Sequence, residues 1–332
     1  MIGRPSICEK EAVMSTMAPG IRRRRFNGRI QESVAFYLMI APWVVGFIVF
    51  QVYIFASGLM YSFTNMGASQ NVRYVGFNNY IRAFSADPQF WASLLTTLEY
   101  SFISVLASVF VGLAVAAMLN RDLRGRALYR TVVYLPTVVP AVSAALSWAF
   151  LYDKNYGLLN AVVEKVGLGS VTWLQDPTML WSLIIMAVWS GVGGSMIVLL
   201  AGMQGVPVDL IEAAVVDGVG PFRRFRHVTL PLITPAIFFN VVTGLVGGMQ
   251  MYTQAELLQG TGMDTQYANI IRGNYVYMRL LVRSAFRDHR LGYACALSWI
   301  LFLVIVIVTF VLFRTSDAWV YYDSLAKERT QP

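Results

Sequence analysis

The stretch EAAVVDGVGPFRRFRHVTLP, Glu212–Pro231, carries three arginines, a histidine, a glutamate and an aspartate between two of the most apolar segments of the chain. Charge of that density does not sit in hydrocarbon, so the insert lies outside a membrane while its ends run straight into apolar helices. Pro207 and Asp209 suit a helix start, the one by its fixed φ and the other by its charge at the positive end of the helix. DLIEAAVVDG then gives about two and a half turns. Ala213 and Ala214 leave a flank with little side-chain bulk, so another backbone can approach closely. Gly218 suits the left-handed residue that ends a helix. Pro221 starts a second short helix, PFRRFRHV, and Pro231 marks entry into the next apolar segment. Physics alone fits two objects equally well. One is a helix–turn–helix that docks in a groove on a partner and moves the joined spans. The other is an amphipathic helix resting among headgroups with its arginines on phosphates.

The rest of the chain supplies the membrane. Of 332 residues 57% are hydrophobic and only 13% charged, with mean hydropathy +0.57, too little charge to cover a soluble globule of this size. Aromatic content of 14% suits side chains at a water–lipid boundary. Six stretches lack Asp, Glu, Lys and Arg and are long enough to cross a bilayer as helix. They are Ser33–Val72, Tyr100–Asn120, Thr131–Tyr152, Pro177–Val208, His227–Ala255 and Leu291–Phe313. The first exceeds one span, and TNMGASQN (Thr64–Asn71) reads as its exit. The second is expected to begin near Ser93, which puts Glu99 at its outer edge, where a carboxylate costs little; the alternative is a functional intramembrane carboxylate. Pro136 and Pro140 kink or delay the third. The fold class is an all-α integral membrane protein with six transmembrane helices.

Basic residues set the orientation. With both termini on one side, that side holds 17 of the 26 Lys and Arg and the other holds 9. RRRR at Arg22–Arg25 directly precedes the first span. Both termini and the Glu212–Pro231 segment are then expected in the cytoplasm. Arg272, Arg279, Arg283, Arg287 and Arg290, all in the last outer loop, run against this count. The first 30 residues read as a cytoplasmic tail rather than a cleaved leader.

Other chemistries are excluded by their parts. The four lysines never follow a glycine, so no phosphate-binding loop of the G-x-x-x-x-G-K type exists. His227 and His289 are the only histidines and fall on opposite sides of the expected membrane, and Cys8 and Cys295 have no ligand-like spacing. Neither a metal centre nor a catalytic triad can be assembled, and the basic clusters between apolar runs fit membrane orientation rather than nucleic acid.

The quoted stretch resembles the signature loop of permease subunits in binding-protein-dependent ABC importers. Glu212, Ala213, Ala214, Gly218, Val228, Leu230 and Pro231 meet every position of that pattern, with Asp217 before the glycine. RYVGFNNYIRAF (Arg73–Phe84), LNRDLRGRALYRTVVYLPTVVPAV (Leu119–Val142), YGLLNAVV (Tyr156–Val163) and LGYACALSWILFLVIVIV (Leu291–Val308) are similar to the carbohydrate-uptake branch, the maltose and glycerol-3-phosphate type. The resemblance runs from about Phe36 to Arg314. It implies the ABC importer permease fold with a short cytoplasmic coupling helix, a second permease subunit forming a heterodimer, two copies of a separate ATPase that uses ATP and Mg, and an extracytoplasmic solute-binding protein. It also implies that Glu212, Ala213, Ala214, Asp217, Gly218, Leu230 and Pro231 couple to the ATPase. Two departures are LQGTGMDTQ (Leu258–Gln266), where relatives carry a Gly-rich turn ending in Pro, and Glu99.

A neutral sugar in mid-membrane needs aromatic faces to stack on and amides or hydroxyls to hydrogen-bond. The fourth span offers Trp189, Ser190 and Gly191, and the fifth offers Asn240, Gln250, Tyr252 and Gln254. Trp189 and Gly191 match the sugar-holding positions of the maltose-type relatives directly, Gln250 and Tyr252 by type and approximate position. Gln250 and Gln254, four apart, are expected on one helix face. Helix–helix packing competes as a role for all of these, most strongly for the glycines. The expected organisation is a cytoplasmic tail (1–32), a six-helix permease domain (33–315) with its coupling loop at 206–231, and a second tail (316–332). The expected activity is ATP-driven import of a sugar, oligosaccharide or related polyol by alternating access, with no enzyme activity and no cofactor of its own. The alternatives are an ABC permease for another small solute and an ion-coupled secondary transporter.

Overall fold

The computed structural model describes residues 24–67, 72–167, 169–259, 273 and 275–321. The expected N-terminal tail up to residue 23, most of LQGTGMDTQ with Arg272, and the C-terminal tail from residue 322 lie outside the described residues. Two compact units are present, Met1–Met60 and Tyr61–Pro332.

The first unit is one helix, α1, running over Arg24–Phe47 and continued by a wide π-helical turn, Ile48–Val52, and by Tyr53–Ser62 at the unit boundary. Pro42 is accommodated inside it. The chain leaves α1 within the expected exit segment, where Thr64 bridges antiparallel to Tyr74.

The second unit begins with a short helix, α2 (Asn78–Ile81), which runs on as a π-helical turn over Arg82–Ala86. Helix α3 (Pro88–Leu119) follows. It starts well before the expected Ser93 because Asp87 caps it: Oδ1 of Asp87 accepts from the Gln89 amide at 2.9 Å, with Pro88 at the first helical position. Tyr100–Leu119 is twenty residues without charge, about 30 Å of helix and as long as the hydrocarbon layer is thick. Glu99 stands directly outside that stretch, and the residues before it carry α3 about 18 Å further outward. Glu99 is exposed, on the side of α3 opposite its buried face.

That buried face is small and polar: Ser93, Thr97, Ser101, Ser104, Ser108, Gly112 and Ala116 recur every three or four residues. Small side chains let α7 (Met179–Gln204) and α10 (Thr234–Met249) approach closely. A Cβ on Gly112 would stand 2.8 Å from that of Ser195 in α7, and one on Gly244 would stand 2.8 Å from Cγ1 of Val105.

The third span is two helices, α4 (Arg126–Val138) and α5 (Ala141–Leu151), bent by 96° at Val139–Pro140. Pro136 is absorbed without a break, whereas Pro140 takes extended ψ and starts α5. Helix α4 lies along α7, and a Cβ on Gly193 would collide with Thr137 and the Val133 carbonyl. Helix α6 (Leu158–Lys165) takes in most of YGLLNAVV. Asn160, buried there, accepts from Trp173 Nε1 at 2.9 Å and exchanges two bonds with the backbone of Val171.

After α7 come two loop helices, α8 (Val208–Val216) and α9. Helix α9 runs from Pro221–Arg224 through a π-helical turn, Phe225–Thr229, to Leu230–Leu232. The expected fifth span, His227–Ala255, is divided further. A bend of 63° separates α9 from α10, and α10 stops at Met249 rather than continuing to Ala255. Helix α11 (Thr253–Gln259) is separate. Helix α12 (Tyr277–Val282, with a π-helical turn Arg283–Arg287) and α13 (Leu291–Ser316) complete the unit.

Two of the arginines that opposed the charge count, Arg279 and Arg283, tie this end of the bundle together. Arg279 pairs with Glu256 at 2.7 Å. Arg283 reaches Oε1 of Gln89 at 3.4 Å and Asp288 at 3.9 Å. Tyr293 donates to Asp87 Oδ2 at 2.7 Å with the Arg82 guanidinium over its ring, and Tyr275 donates to Gln89 at 2.6 Å.

Candidate functional site

Helices α3, α7 and α10 pack tightly toward the end that carries the α8–α9 loop, where Val105, Val109, Ala116, Met196, Leu199, Met203, Ile233 and Leu245 form one apolar cluster. Above it they diverge around a cavity of about 720 Å³. Its wall includes Tyr100, Ser104 and Ser108 from α3, Ser190, Gly191 and Ser195 from α7, and Phe239, Asn240 and Thr243 from α10, with Gln250, Tyr252 and Gln254 beyond α10. Among the described residues that line it, none is Asp, Glu, Lys, Arg or His.

The structure thus gathers six of the seven residues expected at the substrate site, Ser190, Gly191, Asn240, Gln250, Tyr252 and Gln254, into one cavity. Trp189 is a correction. It is 38% exposed, but its ring meets Trp148 edge-on at 5.7 Å and does not line the cavity. Ser190 is one helical step, about 100°, from Trp189, and it is Met186, Ala187, Ser190, Gly191 and Gly194 that face inward. The aromatic faces at the cavity are Tyr100, Phe239 and Tyr252 instead.

Gln250 and Gln254 need a second correction, since they do not share a helix. Gly247 and Gly248, each about 1 kcal/mol poorer than Ala in a helix, end α10. The Gln250 and Met251 amides close back on their carbonyls at 3.2 Å, and α11 begins only at Thr253. Both glutamines still reach the cavity because the chain turns at its rim.

Several lining groups are already engaged within their own helices. Ser190 donates to Met186 O at 3.0 Å, Thr243 to Phe239 O at 2.7 Å, Asn240 Nδ2 to Ala236 O at 2.9 Å and Gln250 Nε2 to Val246 O at 3.0 Å. The Asn240 and Gln250 side-chain carbonyl oxygens have no partner among the described residues. Among the described residues, the Ser108 and Ser195 hydroxyls have no hydrogen-bond partner. Sequence reasoning overlooked Ser108, whose signal was its place in the small-residue repeat of α3.

The coupling loop has the expected shape. Pro207 precedes α8, with Asp209 in its first turn. At its end Gly218 holds φ +71°, Gly218 N donates to Val215 O at 3.0 Å and Val219 N to Ala214 O at 2.9 Å. This pair of bonds is the Schellman arrangement, which satisfies the last carbonyls of the helix. Glu212, Ala213 and Asp217 are exposed. Ala214 is 8% exposed, covered by this chain itself, so the bare flank belongs to Ala213 alone. Pro231 lies inside the last turn of α9, and the turn into the span follows at Ile233. His227 hydrogen-bonds within its own helix, Nδ1 lying 2.9 Å from Arg223 O.

A clamp joins the end of α7, just before this loop, to α4. With its amide oxygen facing α4, Gln204 at the end of α7 accepts from Arg126 Nη2 at 2.7 Å and Arg130 Nη2 at 2.9 Å. At the other end of α4, Thr137 donates to Ser190 O at 2.9 Å, beside the cavity.

Comparison with known proteins agrees with this geometry. Residues 108–321 match the family described as the inner membrane component of binding-protein-dependent transport systems. The probable ABC transporter permease protein YesP of Bacillus subtilis is 34% identical over 300 residues, covering 89% of this chain and 94% of that protein. The trehalose/maltose transport system permease protein MalF of Thermococcus litoralis is 35% identical over 190 residues, 57% of this chain and 64% of that protein. In solved structures, a chain of a bacterial alginate ABC transporter, crystallised with an alginate pentasaccharide-bound periplasmic protein, superposes with TM-score 0.76. It shares 22% identity over 88% of this chain and 97% of that chain, a likeness of fold. The chain belongs to the binding-protein-dependent transport system inner membrane component family: it is a permease subunit of an ABC importer, not an enzyme, and works with a solute-binding protein and a separate ATPase.

Proposed function

We propose that this chain forms half of the membrane path for a neutral sugar, oligosaccharide or polyol, moved by alternating access while ATP is hydrolysed elsewhere in the complex. The carrying observation is a cavity of about 720 Å³ walled by hydroxyls, amides and aromatic rings, with no Asp, Glu, Lys, Arg or His among the described residues that line it. Hydroxyl-rich solutes exchange hydrogen bonds with such walls, whereas a phosphate or polyamine would leave its charge uncompensated. A relative supports the same class, being named for trehalose and maltose. Ser190, Gly191, Asn240, Gln250, Tyr252 and Gln254 are the proposed substrate contacts.

The second half of the path is proposed to be a different permease subunit, and two ATPase copies to bind the complex. Glu212, Ala213, Asp217 and Gly218 present α8 to the ATPase; Ala214, Leu230 and Pro231 hold the loop's own shape. Both termini and the coupling loop are assigned to the cytoplasm, with residues 33–315 as the permease domain. Reconstitution with the partner subunit, ATPases and binding protein tests the reading. Neutral saccharides should stimulate ATP hydrolysis, and uptake should need internal ATP but no ion gradient. Uptake driven by an ion gradient without ATP would refute it.

A further inference from the structure

The clamp at the end of α7 brings two cations together without a counter-charge. Arg126 and Arg130, one turn apart on α4, both donate to the Gln204 amide oxygen, at 2.7 and 2.9 Å. Like charges gathered on one neutral oxygen repel each other. Among the described residues no carboxylate pairs with either arginine. Their two Nε atoms are buried and, among the described residues, have no hydrogen-bond partner. A partly desolvated cation left in that condition is costly, so the pair calls for an anion. Both side chains are half-buried as a whole, which leaves a side of each open to one.

Position narrows the choice of anion. Residues 121–130 hold four arginines and a single acid, Asp122. Arg130 is the last charge before the charge-free run Thr131–Tyr152, the depth at which headgroups meet hydrocarbon. Tyr134 and Val138 continue the row of Arg126 and Arg130 at four-residue spacing, and both are exposed. That row leads about 12 Å along α4 from Arg130, toward the level where Thr137 meets Ser190. A small anion or an acidic protein segment would use the cations alone, whereas a phospholipid uses the cations and an apolar track beside them. We infer that the crevice between the ends of α4 and α7 binds the phosphate of an anionic phospholipid, with an acyl chain along Tyr134 and Val138. The planar fork of arginine suits phosphate by giving two parallel bonds. A zwitterionic headgroup brings its own ammonium, so a headgroup of net negative charge is selected.

The complete transporter, purified in detergent, would be titrated with phosphatidylglycerol and phosphatidylcholine of matched chains, and bound lipid counted by native mass spectrometry. Wild type should retain a phosphatidylglycerol that the Arg126→Gln, Arg130→Gln double variant loses, with affinity at that site falling about tenfold or more, one charge-assisted hydrogen bond's worth. Arg124→Gln, in the exposed turn before α4, should keep that lipid. Gln204→Leu, which removes the clamp but leaves both charges, should keep it too. Loss in either control to the extent seen in the double variant overturns the inference. A double variant that fails to assemble leaves the wild type to decide: phosphatidylglycerol should raise its unfolding temperature, and phosphatidylcholine or inorganic phosphate should not. An equal rise with phosphatidylcholine, or with inorganic phosphate, overturns the lipid site. So does full lipid retention by a double variant that has lost its ATPase or second subunit, since the arginines then serve a protein partner.

Discussion

Thr137 donates its hydroxyl hydrogen to the carbonyl oxygen of Ser190 at 2.9 Å, joining the last turn of α4 to the wall of the cavity. Three residues from Ser190, Gly193 leaves no room for a side chain: a Cβ there would lie 2.5 Å from Thr137 Oγ1 and 2.9 Å from Tyr134 Cα. Thr137→Val should therefore cost about 0.5–1.5 kcal/mol, while Gly193→Ala should cost more, about 1–3 kcal/mol, by overpacking. Thermal unfolding of the purified complex measures both. The reverse ranking would mean that α4 does not pack on α7 as described.

The coupling loop separates two effects that one substitution would mix. Gly218→Val meets a positive φ and should cost about 1–2 kcal/mol locally. Ala213→Trp leaves the loop's own packing alone and should abolish ATPase co-purification while membrane insertion stays normal. Ala214→Trp strikes this chain first and should lower its amount in the membrane. Full ATPase retention by Ala213→Trp would remove this face from the contact.

In the cavity, Gln250→Leu preserves approximate volume and removes the amide. A several-fold rise in transport KM is expected, with assembly and basal ATP hydrolysis unchanged, corresponding to about 0.5–1.5 kcal/mol. If instead only the quantity of complex falls, Gln250 is an interhelical tie.

Asp87 serves two partners, the Gln89 amide and the Tyr293 hydroxyl. Asp87→Ala should destabilise the complex by about 1–3 kcal/mol, and Asp87→Asn, itself a good cap, by clearly less. Calorimetry of the two variants decides; equal losses would mean that the charge, not the cap, matters.

Orientation is open to single-cysteine labelling in a background lacking Cys8 and Cys295. A cysteine at Gly220 should react with an impermeant reagent only from the cytoplasm, and one at Tyr156, 93% exposed in the outer loop, only from outside. Labelling of Gly220 in intact cells would invert the topology.

Short-range chemistry carried most of the legible information. Pro207, Gly218 and Pro221 act through their own backbones, so the coupling loop could be read residue by residue. Charge-free length located the spans. Faces were harder, because in a membrane helix the lipid side and the packed side are both apolar and periodicity loses its contrast. Trp189 was placed on the correct helix but not on the cavity side, and the division between Gln250 and Gln254 depended on two glycines whose effect is set by tertiary context. The repeat from Ser93 to Ala116 was visible as spacing, yet only the approach of α7 and α10 turns its hydroxyls into cavity walls. The Asp87, Tyr293, Arg82 cluster joins residues about two hundred positions apart, beyond any local pattern.

The two bends have unlike mechanical consequences. For rigid segments, a displacement along α9 projects onto the axis of α10 by the cosine of 63°, a little under one half. A displacement along α4 projects almost nothing onto α5, because their axes cross at 96°. An axial thrust from the cytoplasm, carried through Gln204 into Arg126 and Arg130, would thus be rectified at Pro140 into a sideways sweep of α5. The same thrust carried through Ile233 would survive as a shortened piston stroke of α10. For a displacement of given size, the bends thus deliver a shortened axial stroke on the Asn240 wall and a transverse shift at Ala141.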